Sequence, residues 1–405
     1  MSKTTRISLE AARTLLLERT APAVETEPVP LLDAVGRVSA RPVIAQLDQP
    51  PFHRSPLDGY ALRSADTAGA GPDRPAVLAV TGRTCAGDAP AAPIGPGQAV
   101  RIMTGAPIPA GADCVVRQED TDLGGETVRV FTPLSPHQNF CFRGEDTAKG
   151  ACLLAPGVRL DWTYLGLLAA QGITELSVFR RPQVGVLTTG DELVPAGSPL
   201  APGQIYDSNA PLLAARLTGL GAQALPAPHV GDGPEALAEA LARLAPRRGL
   251  ILTTGGVSVG DKDYMPPAAR LLGAEVLFQG VAVRPGSPAM AFLVGGTPVL
   301  ALSGNPFAAL AVFEVLGRPA VERLSGRTGD FPRRLRAVLR GGYPKASPVR
   351  RLLRGRLEGG TVTIAGGGHA SGMLAGLAGC NCLVDIPAGT AGIAEGDEVG
   401  LFVLD

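Results

Sequence analysis

The sequence predicts a multidomain protein of mixed α/β and β class, because three patterns follow one another along its 405 residues. Strand-like and helix-like segments alternate from residue 182 to 328, which predicts a central, mainly parallel sheet covered by helices. Short β-like runs broken by Pro and Gly fill residues 50–146, and alternating runs separated by paired glycines fill residues 329–405. A chain of this length exceeds one ordinary hydrophobic core, so several domains are expected.

Four domains are predicted: residues 1–49 with 147–181 form a helical or mixed N-terminal and linker domain, 50–146 a β-rich module, 182–328 the α/β domain, and 329–405 a small β-barrel-like domain. Apolar residues at helical spacing, preceded by Ser8 as a candidate N-cap, predict a helix ending at Glu18. A second short helix is expected over residues 31–38.

In the β-rich module, strands are predicted at residues 76–81, 98–103, 114–118 and 127–131. In the α/β domain, strands are predicted at 183–188, 222–226, 249–253, 274–278 and 298–302, and helices at 209–220, 234–244, 265–272 and 306–324. The last domain has strand patterns at 334–340 and 361–364. Ligands are expected at the carboxyl ends of the parallel strands.

Composition excludes several broad functions. The 37 basic and 37 acidic residues give no net charge, so neither nucleic acid nor a membrane surface is an expected partner. The six cysteines lack zinc-site spacing. The first residues lack the apolar core of a signal peptide and no apolar run has membrane-spanning length, which predicts a cytoplasmic protein.

The most informative segment is the glycine-rich loop Thr253-Thr-Gly-Gly-Val-Ser-Val-Gly-Asp-Lys-Asp-Tyr264. Its glycines allow backbone N–H groups to approach a phosphate, and its aspartates Asp261 and Asp263 can supply oxygen ligands to a hard divalent cation. A similar string, Leu187-Thr-Thr-Gly190, also follows an apolar run and precedes two carboxylates. Although glycine turns also close ordinary strand-to-helix connections, the repetition favours one site for phosphate chemistry.

Three further turns suit anions. In Ser303-Gly-Asn-Pro306, Asn305 suits an N-cap and Pro306 the first position of a helix. Asp207 and Ser208 open another helix, where one is expected to cap and the other to contact a ligand. Arg284-Pro-Gly-Ser-Pro288 is a stiff turn that can hold an oxyanion. The nine basic residues between 331 and 357 are interpreted mainly as solvated strand faces, with an anion-binding rim as the alternative.

Common catalytic signatures are absent from the sequence. It contains no Gly-x-Ser-x-Gly elbow, no Walker loop and no Rossmann fingerprint. The four histidines, His53, His137, His229 and His369, show neither metal-site spacing nor a nearby nucleophile and are interpreted as incidental. Hydrolase triads, P-loop nucleotidases and dinucleotide dehydrogenases are therefore disfavoured.

Six motifs in order resemble the molybdopterin molybdenumtransferase family, which includes the carboxyl-terminal part of gephyrin. They are Arg54-Ser-Pro-Leu-Asp-Gly-Tyr-Ala61, Arg101-Ile-Met-Thr-Gly-Ala-Pro-Ile-Pro-Ala-Gly-Ala-Asp113, Arg143-Gly-Glu-Asp146, Thr189-Gly-Asp-Glu-Leu193, Thr254-Gly-Gly-Val-Ser-Val-Gly-Asp261 and Ser303-Gly-Asn-Pro306. The resemblance implies an enzyme that cleaves the phosphoanhydride of adenylylated molybdopterin with Mg²⁺, releases AMP and transfers molybdate. The central domain is then the molybdopterin-binding domain.

The resemblance also implies roles for individual residues. The catalytic set is Asp58, Thr104, Asp146, Glu192 and Asp263, and the metal ligands are Asp232 and Asp263. The pterin and nucleotide would be bound by Thr189, Gly190, Asp191, Ser208, Gly255, Gly256, Val257, Ser258, Gly304, Asn305 and Pro306. Molybdate would be bound by Arg284, Ser287, Pro288, Arg350 and Ser371.

Family members form homodimers, so Asp58 and Glu192 are expected to meet across the subunit interface. The implied partners are the upstream molybdopterin adenylyltransferase and the recipient molybdoenzymes or their chaperones. Many members carry two lysines in the turn that here contains Arg284 and Ser287, which leaves open whether molybdate or tungstate is used. The alternatives are a noncatalytic scaffold, a tungstate-specific paralogue, and a related enzyme that adenylylates molybdopterin or deamidates nicotinamide nucleotide.

Overall fold

The computed structural model describes residues 6–257, 263–366 and 370–404. The chain divides into two compact units: the larger unit comprises Met1–Ala40, Pro156–Asp161 and Glu175–Asp405, and the smaller unit comprises Arg41–Ala155 and Trp162–Thr174. The boundaries of the four predicted domains stay predictions. The α-helices of the described residues are α1 (Leu9–Glu18), α2 (Trp162–Ala170), α3 (Asn209–Gly219), α4 (Pro234–Leu244), α5 (Met265–Leu271), α6 (Pro306–Val312) and α7 (Arg318–Leu324).

The strands of the first half are short. They are β1 (Thr26–Pro30), β2 (Val43–Ile44), β3 (Gly59–Leu62), β4 (Ala76–Thr84), β5 (Gln98–Ile102), β6 (Cys114–Arg117), β7 (Thr127–Val130), β8 (Cys152–Leu154), β9 (Glu175–Phe179), β10 (Gln183–Thr188), β11 (Leu193–Val194) and β12 (Ile205–Tyr206). The second half contains β13 (Gln223–Pro226), β14 (Leu250–Thr254), β15 (Glu275–Gln279), β16 (Val283–Arg284), β17 (Met290–Val294), β18 (Thr297–Leu302), β19 (Arg334–Arg340), β20 (Arg350–Glu358), β21 (Thr361–Ile364), β22 (Cys382–Ile386) and β23 (Glu398–Val403).

The first predicted helix is confirmed as α1, and Ser8 is its N-cap. The Ala11 amide donates to Ser8 Oγ at 3.1 Å, which satisfies one of the free N–H groups of the first turn. The second predicted helix is wrong in length, because only a 3₁₀ turn over Leu31–Ala34 forms. Gly36 follows with φ of +74°, a left-handed conformation that ends helical winding.

The predicted, mainly parallel sheet is confirmed in the larger unit. Its strand order is β13-β10-β14-β18-β17-β15, in which the first four strands are parallel and the last two pair antiparallel. The strand β17 was missing from the prediction. It forms a hairpin with β18 through Gly295 and Gly296, both of which have positive φ.

The predicted helix over residues 306–324 is interrupted by a π-helical turn, Phe313–Gly317. Its carboxylate Glu314 is buried and is held by two guanidinium groups, those of Arg216 at 2.6 Å and Arg318 at 3.4 Å. A buried carboxylate needs such partners, because an unpaired charge in the interior costs several kcal/mol, on the order of 3–5. The turn therefore coincides with a polar cluster in an otherwise apolar core.

The predicted C-terminal barrel is confirmed. The strand order β16-β20-β21-β19-β23-β22 is closed by an additional pairing between β20 and β22. Side chains such as Leu339, Leu353, Val362 and Val384 fill its interior. Closure leaves the barrel strands without free edges.

The smaller unit is built on a sheet of order β6-β3-β5-β4-β7, which confirms its β-rich character. Its main core contains Tyr60, Leu62, Leu78, Val116 and Val128. Across the described residues of both units, no helix combines the length and the apolar character that a membrane crossing requires.

Candidate functional site

The carboxyl ends of β10, β14 and β18 meet at one edge of the large sheet, as the sequence predicts. The Thr189 amide donates to Thr254 O at 3.0 Å, and the Gly255 amide donates to Leu302 O at 3.1 Å. These bonds tie the two Thr-Thr-Gly turns to each other and to the strand that precedes Ser303. The two similar strings of the sequence therefore lie side by side.

A cavity of about 660 Å³ opens at this edge and is called here the larger cavity. Most of the residues predicted to bind pterin and nucleotide line it, and so do Glu192 and Asp232. The predicted lining residues are Thr189, Gly190, Ser208, Gly255, Gly256, Val257, Gly304, Asn305 and Pro306. Ser258 lies outside the described residues.

Two glycines are required where the walls of this cavity approach each other. Gly255 has φ of +95°, and a Cβ there would lie 2.4 Å from Thr189 O. Gly190 has φ of +140°, and a Cβ there would lie 2.6 Å from Glu192 Oε2. Any other residue would strain the backbone and fill the gap between the turns.

Three buried polar atoms at the larger cavity have no hydrogen-bond partner among the described residues: Thr189 Oγ1, Thr254 Oγ1 and Asn209 Oδ1. The Asn209 side chain is oriented by its amide, which donates to Gly304 O at 2.7 Å. An unsatisfied buried polar group costs about 1–3 kcal/mol. Three residues that line one cavity therefore carry polar atoms whose hydrogen-bonding capacity the described chain leaves unused.

The alternative between Asp207 and Ser208 is resolved by the hydrogen bonds. Asp207 Oδ1 accepts from the amides of Asn209 and Ala210 at 2.9 and 3.1 Å, and Asp207 Oδ2 accepts from Thr188 Oγ1 at 2.7 Å. Asp207 is therefore the capping residue. The Ser208 side chain makes no capping bond, and both Asp207 and Ser208 line the larger cavity.

Asp191 does not line the larger cavity but supports a residue that does. Its Oδ1 accepts from the Asp232 amide at 2.9 Å. This bond joins the turn after β10 to the segment that carries Asp232. The prediction that Asp191 contacts the ligand gains no geometric support, because its carboxylate binds the protein backbone.

A second cavity of about 320 Å³, the smaller cavity, shares Ser303 and Asn305 with the larger one. Four residues predicted for molybdate line it: Arg284, Ser287, Pro288 and Ser371. The Ser287 hydroxyl donates to Val283 O at 2.6 Å, which closes the turn. Gly286 has φ of +91°, and a Cβ there would lie 2.2 Å from Val312 Cγ2, so the turn lies directly against α6.

The prediction that Arg350 contacts molybdate gains no geometric support, because its neighbour Arg351 lines the smaller cavity instead. Arg350 donates to both oxygens of Asp385 at 2.7 and 2.6 Å and also pairs with Glu10. The hydrogen bonds with Asp385 raise the pKa of Arg350. Successive residues of a strand face opposite sides, and Arg351 Nε is buried with no hydrogen-bond partner in the described chain.

Asp263 combines burial with an unsatisfied oxygen. Its Oδ1 is buried without a hydrogen-bond partner among the described residues. Burial raises the pKa of Asp263 to about 6, and the positive charge of Arg270 acts in the opposite direction. Asp263 is two residues from Met265, whose backbone amide donates to Gly256 O at 3.0 Å. Because Gly256 lines the larger cavity, this bond holds the segment that carries Asp263 beside that cavity.

The donor set at this edge suits Mg²⁺ better than a softer metal. The described residues contain no cluster of three or more His, Cys, Asp or Glu that could form a complete protein-only site. Mg²⁺ is usually held by one or two carboxylates together with water and substrate phosphates. Asp232 and the unsatisfied oxygen of Asp263 fit that requirement.

The four other residues predicted to be catalytic lie in two places. Asp58, Thr104 and Asp146 belong to the smaller unit, and Glu192 lines the larger cavity. Asp58 Oδ1 accepts from both the amide and the hydroxyl of Thr104, each at 2.7 Å, and these bonds lower the pKa of Asp58. Asp146 is exposed in the smaller unit, and its amide donates to Gln49 O at 3.0 Å. Glu192 lies in the larger unit, and its meeting with Asp58 stays a prediction.

Sequence reasoning missed Asn209, Thr254, Ser303 and Arg351 as lining residues. Thr254 and Ser303 lie inside quoted motifs, so their position after an apolar strand was a usable signal. Asn209 was interpreted only as the start of a helix. Arg351 carried no signal separate from that of Arg350, because only the strand register decides which of two adjacent arginines faces the cavity.

Comparisons with known families match three consecutive segments of the chain. Residues 7–172 match the family described as "MoeA N-terminal region (domain I and II)", residues 185–323 match "Probable molybdopterin binding domain", and residues 336–404 match "MoeA C-terminal region (domain IV)". Together they cover most of the chain.

Two curated relatives are named molybdopterin molybdenumtransferase. The protein of Staphylococcus epidermidis is 34% identical over 376 residues, which cover 92% of this chain and 90% of that protein. A protein of Staphylococcus aureus is 34% identical over 391 residues, which cover 96% of this chain and 93% of that protein.

Solved structures agree with the family assignment. A molybdopterin biosynthesis MoeA protein from Pyrococcus horikoshii OT3 aligns with a TM-score of 0.86 at 28% identity, covering 98% of this chain and 100% of that one. Another structure, of a molybdopterin biosynthesis MoeA protein from Pyrococcus horikoshii, aligns with a TM-score of 0.81 at 31% identity, covering 99% of this chain and 100% of that one.

Proposed function

The chain belongs to the molybdopterin molybdenumtransferase family, whose members are transferases of molybdenum cofactor biosynthesis, and we propose that it transfers molybdate to adenylylated molybdopterin. In this reaction the phosphoanhydride of the substrate is cleaved, AMP leaves, and the dithiolene receives the metal. The observation that carries the proposal is the group of three unsatisfied polar atoms, Thr189 Oγ1, Thr254 Oγ1 and Asn209 Oδ1, in a cavity of about 660 Å³.

The larger cavity is proposed to bind the pterin and nucleotide. Its volume lies within the range of roughly 300–1,000 Å³ that is usual for small-molecule sites. The glycine turns at Gly190 and Gly255 leave room for a ligand to approach the backbone, and hydroxyl and amide groups offer hydrogen bonds without a fixed charge. Such walls suit a large ligand whose polar groups are distributed over its surface.

The smaller cavity is proposed to bind the oxyanion. Arg284 and Arg351 line it, and guanidinium groups stay charged and bind oxyanions through paired N–H donors. Because Ser303 and Asn305 line both cavities, an oxyanion in the smaller one would lie beside the ligand in the larger one. This arrangement supports transfer between two bound substrates.

Asp232 and Asp263 are the residues proposed to hold Mg²⁺. When bound, the cation would neutralise the charge that develops on phosphate oxygens as the anhydride breaks. The chain's own contribution is to hold a carboxylate oxygen, Asp263 Oδ1, in a buried position without another partner. Asp58, Thr104, Asp146 and Glu192 are proposed to complete the catalytic set.

We further propose that the chain works as a homodimer in the cytoplasm, with Asp58 and Glu192 meeting across the subunit interface. It would receive its substrate from a molybdopterin adenylyltransferase and deliver product to molybdoenzymes or their chaperones. The replacement of a family lysine by Ser287 concerns the choice of oxyanion, so tungstate is kept as a second substrate in the test.

The test is to incubate the protein with adenylylated molybdopterin and Mg²⁺, and to measure AMP release with molybdate, with tungstate and with neither. Release that depends on one oxyanion is the expected result. The matched control is Thr253→Val, which changes a buried threonine that does not line either cavity. A protein that binds both substrates but releases no AMP under any condition would contradict the proposal and favour a scaffold.

A further inference from the structure

The smaller unit contains a cavity of about 700 Å³ on one face of its five-stranded sheet. None of the residues predicted for the reaction lines it. Its polar wall is formed by Tyr60, Arg83, Arg101, Gln118 and Glu119. The family assignment gives this cavity no role, so its chemistry is considered independently of the proposed transferase site.

Two arginines and a tyrosine form a row across three neighbouring strands. Arg101 of β5 lies directly opposite Tyr60 of β3, and Arg83 of β4 lies directly opposite Arg101. Side chains of directly opposite residues share one face of a sheet. The strand register therefore places both guanidinium groups beside each other at the floor of the cavity.

The Arg101 guanidinium is held in a fixed orientation. Its Cζ lies 4.8 Å from the centroid of the Tyr60 ring, and its Nη2 donates to Gln118 Oε1 at 2.7 Å. Tyr60 is itself 1% exposed, and its hydroxyl donates to Gly124 O at 3.0 Å. Within the described part of the chain, Arg101 Nη1 is buried and has no hydrogen-bond partner.

The charges of this cavity are not balanced. Arg83 and Arg101 face each other on adjacent strands, where like charges repel. Among the ion pairs of the described residues, neither arginine has a carboxylate partner. Glu119 is the one acidic residue in the wall, and the charge of Arg101 also acts on Asp58, which lies outside the wall. The lining itself carries two positive charges and one negative charge. One anionic group would remove both the repulsion and the excess charge.

We propose that this cavity binds a small organic anion, whose carboxylate or phosphate group lies between Arg83 and Arg101. The unsatisfied Nη1 of Arg101 would donate to one of its oxygens, as guanidinium groups do with planar oxyanions. Val80 and Leu123 also line the cavity and offer an apolar surface to the rest of the ligand. The ligand class is therefore a small carboxylate or phosphate ester with an apolar body.

The experiment is a calorimetric titration of the full chain with benzoate and, separately, with phenyl phosphate, at matched ionic strength. These two probes distinguish a carboxylate from a phosphate on the same apolar body. All titrations use the Arg351→Gln background, which removes one of the two guanidinium groups of the smaller cavity and so weakens competing anion binding there. Absence of probe binding in these titrations would not affect the proposed transferase function, which depends on other residues.

At least one probe is expected to bind with a Kd on the order of 1 mM, which corresponds to about −4 kcal/mol. Arg83→Gln should weaken that binding about tenfold, because it removes one charged donor. Arg101→Lys keeps the charge but loses the paired donors and should also weaken it. The matched control is Arg129→Gln on β7, which removes an exposed arginine of the same sheet outside the cavity.

Two results would overturn the proposal. One is the absence of binding by either probe at concentrations up to about 10 mM. The other is binding that is equally strong in the Arg83→Gln and Arg101→Lys variants, since the ligand would then lie elsewhere. Equal weakening of probe binding by Arg129→Gln would also contradict the proposal, because the affinity would then depend on the net charge of the protein and not on this cavity.

Discussion

The larger and smaller cavities at the edge of the α/β sheet share a wall but differ in the chemistry of their remaining surfaces. The larger cavity is lined by glycine, hydroxyl and amide groups with the carboxylates of Glu192 and Asp232, whereas the smaller cavity carries the guanidinium groups of Arg284 and Arg351. Distributed neutral groups suit a large ligand, and concentrated positive charge suits a compact anion. Substitutions in the two cavities should therefore have separable effects.

The largest effect is expected for Asp263→Asn, beside the larger cavity. The amide keeps the shape of the side chain but not its negative charge, so Mg²⁺-dependent AMP release should fall by at least about 100-fold. The melting temperature should be unchanged or higher, since a buried carboxylate is replaced by a neutral group. AMP-release kinetics over a Mg²⁺ titration would measure the first effect, and activity equal to that of the wild type would remove Asp263 from the mechanism.

The next effect is expected in the smaller cavity, where Arg351→Gln should raise the KM for molybdate about tenfold or more. Binding of AMP to the larger cavity should not change. Arg350→Gln is the matched control, because it alters the adjacent residue on the opposite face of β20. Its loss of the bonds to Asp385 should lower stability instead of molybdate affinity. If Arg350→Gln raised the KM for molybdate and Arg351→Gln did not, Arg350 would be the arginine that binds the oxyanion.

A smaller effect is expected for Thr254→Val in the larger cavity. The buried hydroxyl has no partner in the described chain, so its removal should leave the free energy of unfolding equal or about 1 kcal/mol higher. Ligand binding should nevertheless weaken a few-fold. Thr253→Val is the control, since Thr253 Oγ1 is equally unsatisfied but does not line the cavity. Chemical denaturation and calorimetry of AMP binding would separate the two quantities.

The smallest effect is expected for Ser287→Lys, which adds a cation to the smaller cavity. A third cation, the lysine ammonium beside the guanidinium groups of Arg284 and Arg351, should tighten molybdate binding a few-fold. The gain is limited because the substitution also removes the hydrogen bond from Ser287 Oγ to Val283 O, which is worth about 0.5–1.5 kcal/mol. Unchanged affinity in a calorimetric titration would show that this turn does not set the strength of oxyanion binding.

Most of the fold could be predicted because the elements of the α/β domain have strong local patterns. Strand β10 and helix α4 were predicted with the bounds they have. The hairpin strand β17 was missed because its apolar run follows a proline-rich turn and shows no separate alternation. The π-helical turn was missed for a different reason: it coincides with a buried ion-pair cluster that involves Arg216, far away in the sequence.

The candidate site was predictable to the level of motifs but not of atoms. Repetition of Thr-Thr-Gly indicated that two loops would meet, and they do. The choice between Asp207 and Ser208, or between Arg350 and Arg351, depends on hydrogen bonds and strand register. Tertiary packing determines both. Two neighbouring residues of similar chemistry give no sequence signal that distinguishes one from the other.

Ser303 and Asn305 form a wall between the two cavities, and the thinness of this wall affects how fast ligands bound in the two cavities can react with each other. Two ligands held on either side of one short turn would meet at an effective concentration far above that of either one in solution, as tethered reactants do. The turn is also held in place by two hydrogen bonds. The Phe307 backbone amide donates to Ser371 O at 3.0 Å, and the Asn209 side-chain amide donates to Gly304 O. Its rigidity would keep that encounter in one orientation.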